Sequence, residues 1–137
     1  MAGHWLTNRL ANPVLRRLLR TPPGRGLGRS LAVVRYTGRR TGEPHELVCQ
    51  YVRDGDHVWI LVGQSERKTW WHNLRSPAPV ELWLAGRHVR ATAVAVVGRE
   101  DPEGCGSGLA VYAARMPGAG RLAVSDAVMV RADVRGS

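Results

Sequence analysis

Two short stretches of this chain combine residue types suited to holding and orienting a ligand. Tyr36-Thr37-Gly38-Arg39-Arg40-Thr41-Gly42-Glu43-Pro44 places two guanidiniums and a hydroxyl between glycines. Glycine accepts the positive φ values that let successive N–H groups point at an anion. An ordinary surface hairpin with solvated arginines fits the same residues, and the stretch by itself weighs both readings evenly. Thr69-Trp70-Trp71-His72-Asn73-Leu74 sets two adjacent indoles beside an imidazole and an amide. A helix from about Glu66 to Arg75, with Ser65 as N-cap and Pro77 forcing the exit, would carry it. The helical step then puts Trp70, Trp71 and Leu74 on one arc, Lys68 and His72 opposite, and Thr69 with Asn73 along the border. At least one tryptophan is expected to be a core plug burying roughly 200 Å². Asn73 has a second reading, as a cap for a neighbouring loop. A Trp edge, the Asn73 amide and Lys68, near the Arg39/Arg40 turn, would form a slot for a flat polycyclic anion.

Other catalytic constellations are missing from the sequence. His45 and Cys49 lie four residues apart on an expected strand, about 13 Å, too far for a nucleophile and its base. His4, His45, His57, His72 and His88 show no metal-ligand spacing, so no metal is expected. Asp54 and Asp56 belong to a turn and do not make a carboxylate pair. Gly24-Arg25-Gly26-Leu27-Gly28 resembles part of a dinucleotide fingerprint, but it follows Pro22-Pro23 instead of a strand and reads as a linker. If the chain is an enzyme, a cofactor is therefore expected to carry the chemistry.

Positioning these residues falls mainly to strands. Leu31 to Thr37 and Glu46 to Arg53 flank the cationic turn. Asp54-Gly55-Asp56 leads into His57 to Val62, and Val80–Leu84 with Arg87–Val97 form a hairpin around Ala85-Gly86. Pro102 to Met116 reads as partly helical despite three glycines, and Asp126 to Val134 supplies a last strand. The pattern is mainly β, with about six antiparallel strands, a helix after the third, and a helical N-terminal segment. A small, partly open barrel would close such a sheet. From Trp5 to Arg20 apolar residues recur at helical spacing, with Asn12-Pro13 as a cap and first turn and Thr21-Pro22-Pro23-Gly24 as the stop. That segment, with residues to 29 as linker, is read as packing over the barrel mouth. Arg9, Arg16, Arg17 and Arg20 give it an alternative, weak contact with an anionic membrane surface.

With 137 residues and 44% hydrophobic content, one domain with its own core is expected, 30–137 forming the barrel. No apolar run is long enough to cross a bilayer and no signal-peptide pattern opens the chain, so a cytoplasmic protein with reduced Cys49 and Cys105 is expected. The net charge of +9 is almost all guanidinium, since Lys68 is the only lysine. Guanidinium suits bidentate phosphate and carboxylate contacts. A solvated cationic surface remains the plain alternative.

The Thr37–Pro44 turn, the Tyr51-Val52-Arg53-Asp54-Gly55 segment and Trp70-Trp71-His72-Asn73-Leu74 together resemble, in order and spacing, the deazaflavin-dependent nitroreductase and quinone reductase family. The likeness covers about residues 30–98, with weaker support from the N-terminal helix and the Tyr112 to Met116-Pro117 segment. It implies a split β-barrel of six to seven antiparallel strands related to pyridoxamine-phosphate-oxidase-like flavoproteins. It also implies coenzyme F420, an 8-hydroxy-5-deazaflavin whose tail carries phosphate, lactate and glutamates. The family's Gly-Arg-Lys-Thr-Gly turn corresponds to Gly38–Gly42, and its Trp-Tyr-x-Asn-Leu helix to Trp70–Leu74. The cofactor-binding set implied is Arg39, Arg40, Thr41, Gly42, His45, Gln50, Gly63, Gln64, Lys68, Trp70, Trp71 and Asn73. His45 stands where the family usually has arginine, Val48-Cys49 replaces a Pro-Leu, and Val62–Lys68 is shorter than the family's loop and lacks its Ala-Ser-Lys-Gly-Gly.

The expected activity is hydride transfer to an activated double bond, quinone or nitro group of a small molecule. The shortened loop sets the alternative: a cofactor-free binding protein or a non-redox biosynthetic enzyme on the same barrel. No specific nucleic-acid partner is expected, because the basic N-terminal segment lacks interleaved aromatics for base stacking. Either a monomer or a homodimer is compatible with the sequence.

Overall fold

The structure is a computed structural model and describes residues 31–134. The expected N-terminal helix, the linker and their membrane contact lie outside the described residues. Strands β1 (Leu31–Thr37), β2 (Pro44–Gln50), β3 (Val52–Asp54) and β4 (His57–Leu61) come first, then a 3-10 helix (Trp70–Leu74). Strands β5 (Ala78–Leu84) and β6 (Arg87–Val97), helix α1 (Pro102–Arg115), two 3-10 turns (Pro117–Arg121 and Val124–Asp126) and β7 (Val128–Val134) complete the order. The seven strands run β2-β1-β5-β6-β7-β4-β3 in one sheet. The registers of β1 with β2 and β5, of β3 with β4, and of β7 with β4 and β6 are antiparallel.

Two sequence expectations need correction. The strand expected over Glu46–Arg53 breaks at Tyr51 into β2 and β3, which raises the count to seven. The helix expected after the third strand therefore follows the fourth, and it is five residues of 3-10 helix. Its preceding residue, Thr69, makes no side-chain cap, and Ser65 lies outside it. Gln64 takes a φ of 53°, and its carbonyl accepts from Arg67 N and Lys68 N at 2.9 and 3.1 Å, closing a separate turn. A helix starting at Glu66 cannot pass through that turn. Thr, Trp, His and Asn also favour an α-helix only weakly, so the short i→i+3 form wins.

The described chain divides into two compact units, the first holding 31–50 with Val80–Arg90. In that unit β1 buries Ala32, Val33 and Val34 while β5 buries Val80, Leu82 and Leu84. Arg35 lies opposite both Glu46 and Glu81 in register and pairs with them at 3.2 and 3.8 Å. The β5–β6 turn uses Ala85 and Gly86 at φ 51° and 78°, the positive values a tight hairpin requires.

The second unit holds Tyr51–Pro79 and the chain from Ala91 onward. Helix α1 covers a core of Val52, Trp59, Val96, Cys105, Leu109, Tyr112, Ala127 and Met129. Asp101 caps α1 by accepting from Gly104 N at 2.9 Å, and Pro102 stands in its first turn. A Cβ on Gly108 would come within 2.3 Å of the Trp59 ring. That glycine, a weak spot for helix formation in the sequence, is what lets the indole lie flat against the helix.

Candidate functional site

The cationic turn belongs to the first unit. Gly38 N donates to Glu43 O and Gly42 N donates to Gly38 O, both at 2.8 Å. Glu43 N donates to Thr41 Oγ1 at 3.2 Å. These bonds occupy the Gly38 and Gly42 amides, so the expected row of inward N–H groups does not include them. Gly42 has φ +73°, and only this one of the two glycines is needed for its conformation. Gly38 is needed for space: a Cβ there would meet His45 Nε2 at 3.0 Å and Thr41 Oγ1 at 3.1 Å.

Arg39, Arg40, Thr41, Gly42 and His45 are all exposed along this turn and the start of β2. Tyr36, opposite His45 in register, stacks on its ring at 5.5 Å and 27°. Burial pushes the Tyr36 phenol above its usual range. The turn thus presents two permanent cations and a hydroxyl on an aromatic footing. Gln50 pairs with Leu31 at the far end of β2. That is about 17 Å from His45 along the strand, so the structure does not bring Gln50 to the turn.

The tryptophan segment belongs to the second unit. A 3-10 helix eclipses residues three apart, which replaces the arc expected from α-helical spacing. Trp71 and Leu74 point inward and are buried, whereas Trp70 and Asn73 share a half-buried side. Asn73 Nδ2 donates to Trp70 O at 2.8 Å, so the amide locks its own turn and not a neighbouring loop.

Trp71 is the core plug. It is 5% exposed, and its Nε1 donates to Ser65 O at 3.1 Å. His72 stacks on it at 3.9 Å and 25°, and the Arg75 guanidinium lies 4.9 Å from its ring centroid. Arg75 reaches Glu100 Oε2 at 2.9 Å and, at 3.5 Å, His72 Nδ1. Sequence reading placed neither Arg75 nor Glu100 in this group; their separation of 25 residues leaves no local signal. Gly63 and Gln64 are exposed in the approach turn and Lys68 is half-buried.

A second polar group also went unread in the sequence. His57 Nδ1 and Asp133 Oδ1 lie 2.6 Å apart across β4 and β7, with Arg131 Nε 3.2 Å from the same oxygen. Cys105 is fully buried, and burial pushes its thiol up, which disfavours a nucleophilic thiolate. Among the described residues no three His, Cys, Asp or Glu side chains gather as metal ligands, and no helix is long and apolar enough to cross a membrane.

A search of curated proteins found no match. Among solved structures, one described as a domain-swapped dimer is similar with a TM-score of 0.62 and 13% identity, covering 97% of this chain and 100% of that one. HutZ, a heme storage protein from Vibrio cholerae, aligns with a TM-score of 0.52 and 16% identity over 91% of this chain and 90% of its own. An F420-H2 dependent reductase, FDR-A, gives 0.52 and 13% over 75% and 94%. At such identities these likenesses establish the fold. The sequence profile of the F420H(2)-dependent quinone reductases matches residues 15–114. That match covers most of the chain, which therefore belongs to the F420H(2)-dependent quinone reductase family, a family of deazaflavin-dependent oxidoreductases.

Proposed function

We propose that this protein binds coenzyme F420 through the Gly38–Gly42 turn and reduces a small molecule bearing a quinone, nitro group or activated double bond. The observation that carries the reading is the exposed pair Arg39 and Arg40 on a turn closed by its own backbone, within the family-matched stretch. Two guanidiniums and the Thr41 hydroxyl suit a tail bearing phosphate and carboxylates. Thr41 Oγ1 accepts from Glu43 N, which leaves its O–H available to donate to an anion. When bound, the reduced deazaflavin supplies the hydride.

The remaining tasks fall to the chain: holding the tail, orienting the ring and stabilising negative charge on the acceptor. Arg39, Arg40, Thr41, Gly42 and His45 serve the tail in this reading. A homodimer is the assembly proposed, in line with the domain-swapped dimer similar in fold, and light scattering would test it.

Titration with oxidised coenzyme, followed by tryptophan quenching, tests the function. Saturable binding below roughly tens of micromolar is expected, and none at that level would overturn the reading in favour of a cofactor-free binding protein. Arg39→Ala and Arg40→Ala should each weaken binding by about 1–3 kcal/mol, the loss of a charge-assisted contact. Unchanged affinity in both variants would remove the turn from the site.

A further inference from the structure

We infer that strand β2 is where two copies of this chain meet: its open edge pairs antiparallel with β2 of a second copy, about a two-fold axis at Val48. The inference rests on the homodimer reading and deepens it by naming the surface. Its own basis is the contrast between the two ends of the sheet, which among the described residues are β2 and β3. An open edge is a row of N–H and C=O groups that templates another strand, and native proteins blunt it with short strands and charge. β3 is blunted in both ways, being three residues long with Arg53 and Asp54 exposed. β2 runs for seven residues without lysine or arginine. Pro44 stands only at its start, and the charge of Glu46 is held against Arg35 at 3.2 Å with its side chain largely buried. Leu47, Val48 and Cys49 follow, all half-buried.

The β1–β2 hairpin fixes which backbone groups face outward. Gly38 N donates at 2.8 Å to the carbonyl of Glu43, the residue opposite it when the β1–β2 register is carried one step past Thr37 and Pro44. Hydrogen-bonded and non-hydrogen-bonded pairs alternate along an antiparallel ladder. His45, Leu47 and Cys49 therefore turn their backbone groups toward β1, while Pro44, Glu46, Val48 and Gln50 turn theirs away. Proline, with no N–H to give, falls in the outward set. The outward donors Glu46, Val48 and Gln50 are symmetric about Val48, as an isologous two-fold contact requires. An axis there sets Val48 against Val48 of the partner subunit and Glu46 against the partner's Gln50, a carboxylate beside an amide. Leu47 meets the partner's Cys49 at the closer, non-hydrogen-bonded position, which covers both apolar side chains. An axis at Glu46 would oppose two carboxylates, a destabilising pair. An axis at Leu47 would set Pro44 against Gln50 and leave a carbonyl without its donor. Gln50, which the fold keeps from the anion-holding turn, thereby gains a task of its own.

Light scattering of the full chain and disulfide trapping test the pairing together. Leu47→Cys places a thiol about 4.5 Å, Cα to Cα, from the partner's Cys49, within the roughly 4.4–6.8 Å that a disulfide spans. Oxidised Leu47→Cys should run as a covalent dimer on a non-reducing gel, while wild type and Leu47→Cys/Cys49→Ser run as single chains. Val48→Pro deletes the N–H at the axis, a donor that β1 does not use, and an edge strand tolerates proline at such a position. It should halve the mass seen by light scattering, with circular dichroism showing that the fold is kept. If Val48→Pro does not fold, the trapping result decides alone. A dimer that Leu47→Cys fails to trap, that is trapped equally in wild type or without Cys49, or that survives in folded Val48→Pro overturns the β2 pairing and leaves the homodimer reading intact. A wild-type monomer overturns both.

Discussion

At the scale of single residues, glycines show how differently one residue type is used in this chain. Gly42 is required for its φ of +73°, Gly38 for the room that His45 and Thr41 occupy, and Gly108 for the face of Trp59. On α1 a direct contrast is available. Gly108→Ala gains up to about 1 kcal/mol of helix propensity but drives a methyl into the indole, an overpacking that costs about 1–3 kcal/mol. Gly106→Ala meets only Val124 Cγ2 at 3.7 Å, so it should stabilise by up to about 1 kcal/mol. Urea unfolding of the two variants should move the midpoint in opposite directions. Equal shifts would mean that Trp59 does not lie on Gly108. The sequence marked all three α1 glycines as weaknesses of the helix, because a partner as distant along the chain as Trp59 leaves no trace beside Gly108.

Among the elements, legibility followed the range of the forces involved. β1 and β6 have the expected bounds, Leu31–Thr37 and Arg87–Val97, because apolar and β-branched runs bounded by turn residues are local signals. The Ala85-Gly86 and Asp54–Asp56 turns were legible for the same reason. The Trp70–Leu74 segment was legible as helical but not as 3-10, since a five-residue window contains neither the Gln64 turn nor the Trp71–Ser65 bond. The Arg39/Arg40 turn and the aromatic pair were both visible as local runs of residue types. Arg75–Glu100 and His57–Asp133, separated by 25 and 76 residues, were not. This element now separates the roles of the two tryptophans. Trp71→Ala should cost about 3–5 kcal/mol of stability, as removal of a buried aromatic does. Trp70→Ala, on the half-buried side of the same turn, should cost less than half of that in urea unfolding. Equal stability losses would contradict the i, i+3 pairing of Trp71 with Leu74.

For the whole molecule, the arginine-dominated composition makes the alkaline range unusually simple. Arginines keep their charge there and one lysine, three tyrosines and two cysteines remain to titrate. Burial raises Tyr36 in the first unit. In the second it raises Tyr51, against a smaller opposing effect of Arg53. Cys105 is raised chiefly by burial, with Asp101 adding to it and a hydrogen bond from the Met129 backbone opposing it. Each group therefore keeps its proton in the folded chain at a pH where the unfolded chain has begun to lose it. The unfolded state binds fewer protons in that window, so stability falls as pH rises. The contribution is fully present below the ordinary values of 9.0 for the thiol and 10.0 for the phenols, and it is lost as pH climbs through the folded values. The urea midpoint should stay level from about pH 7 to 8.5 and decline from about pH 9 upward. Tyr36→Phe deletes one of these protons without exposing the ring site, so its decline should be shallower than wild type above about pH 10. A midpoint that holds level through about pH 11, or a Tyr36→Phe profile parallel to wild type, would show that burial of these groups does not govern alkaline stability.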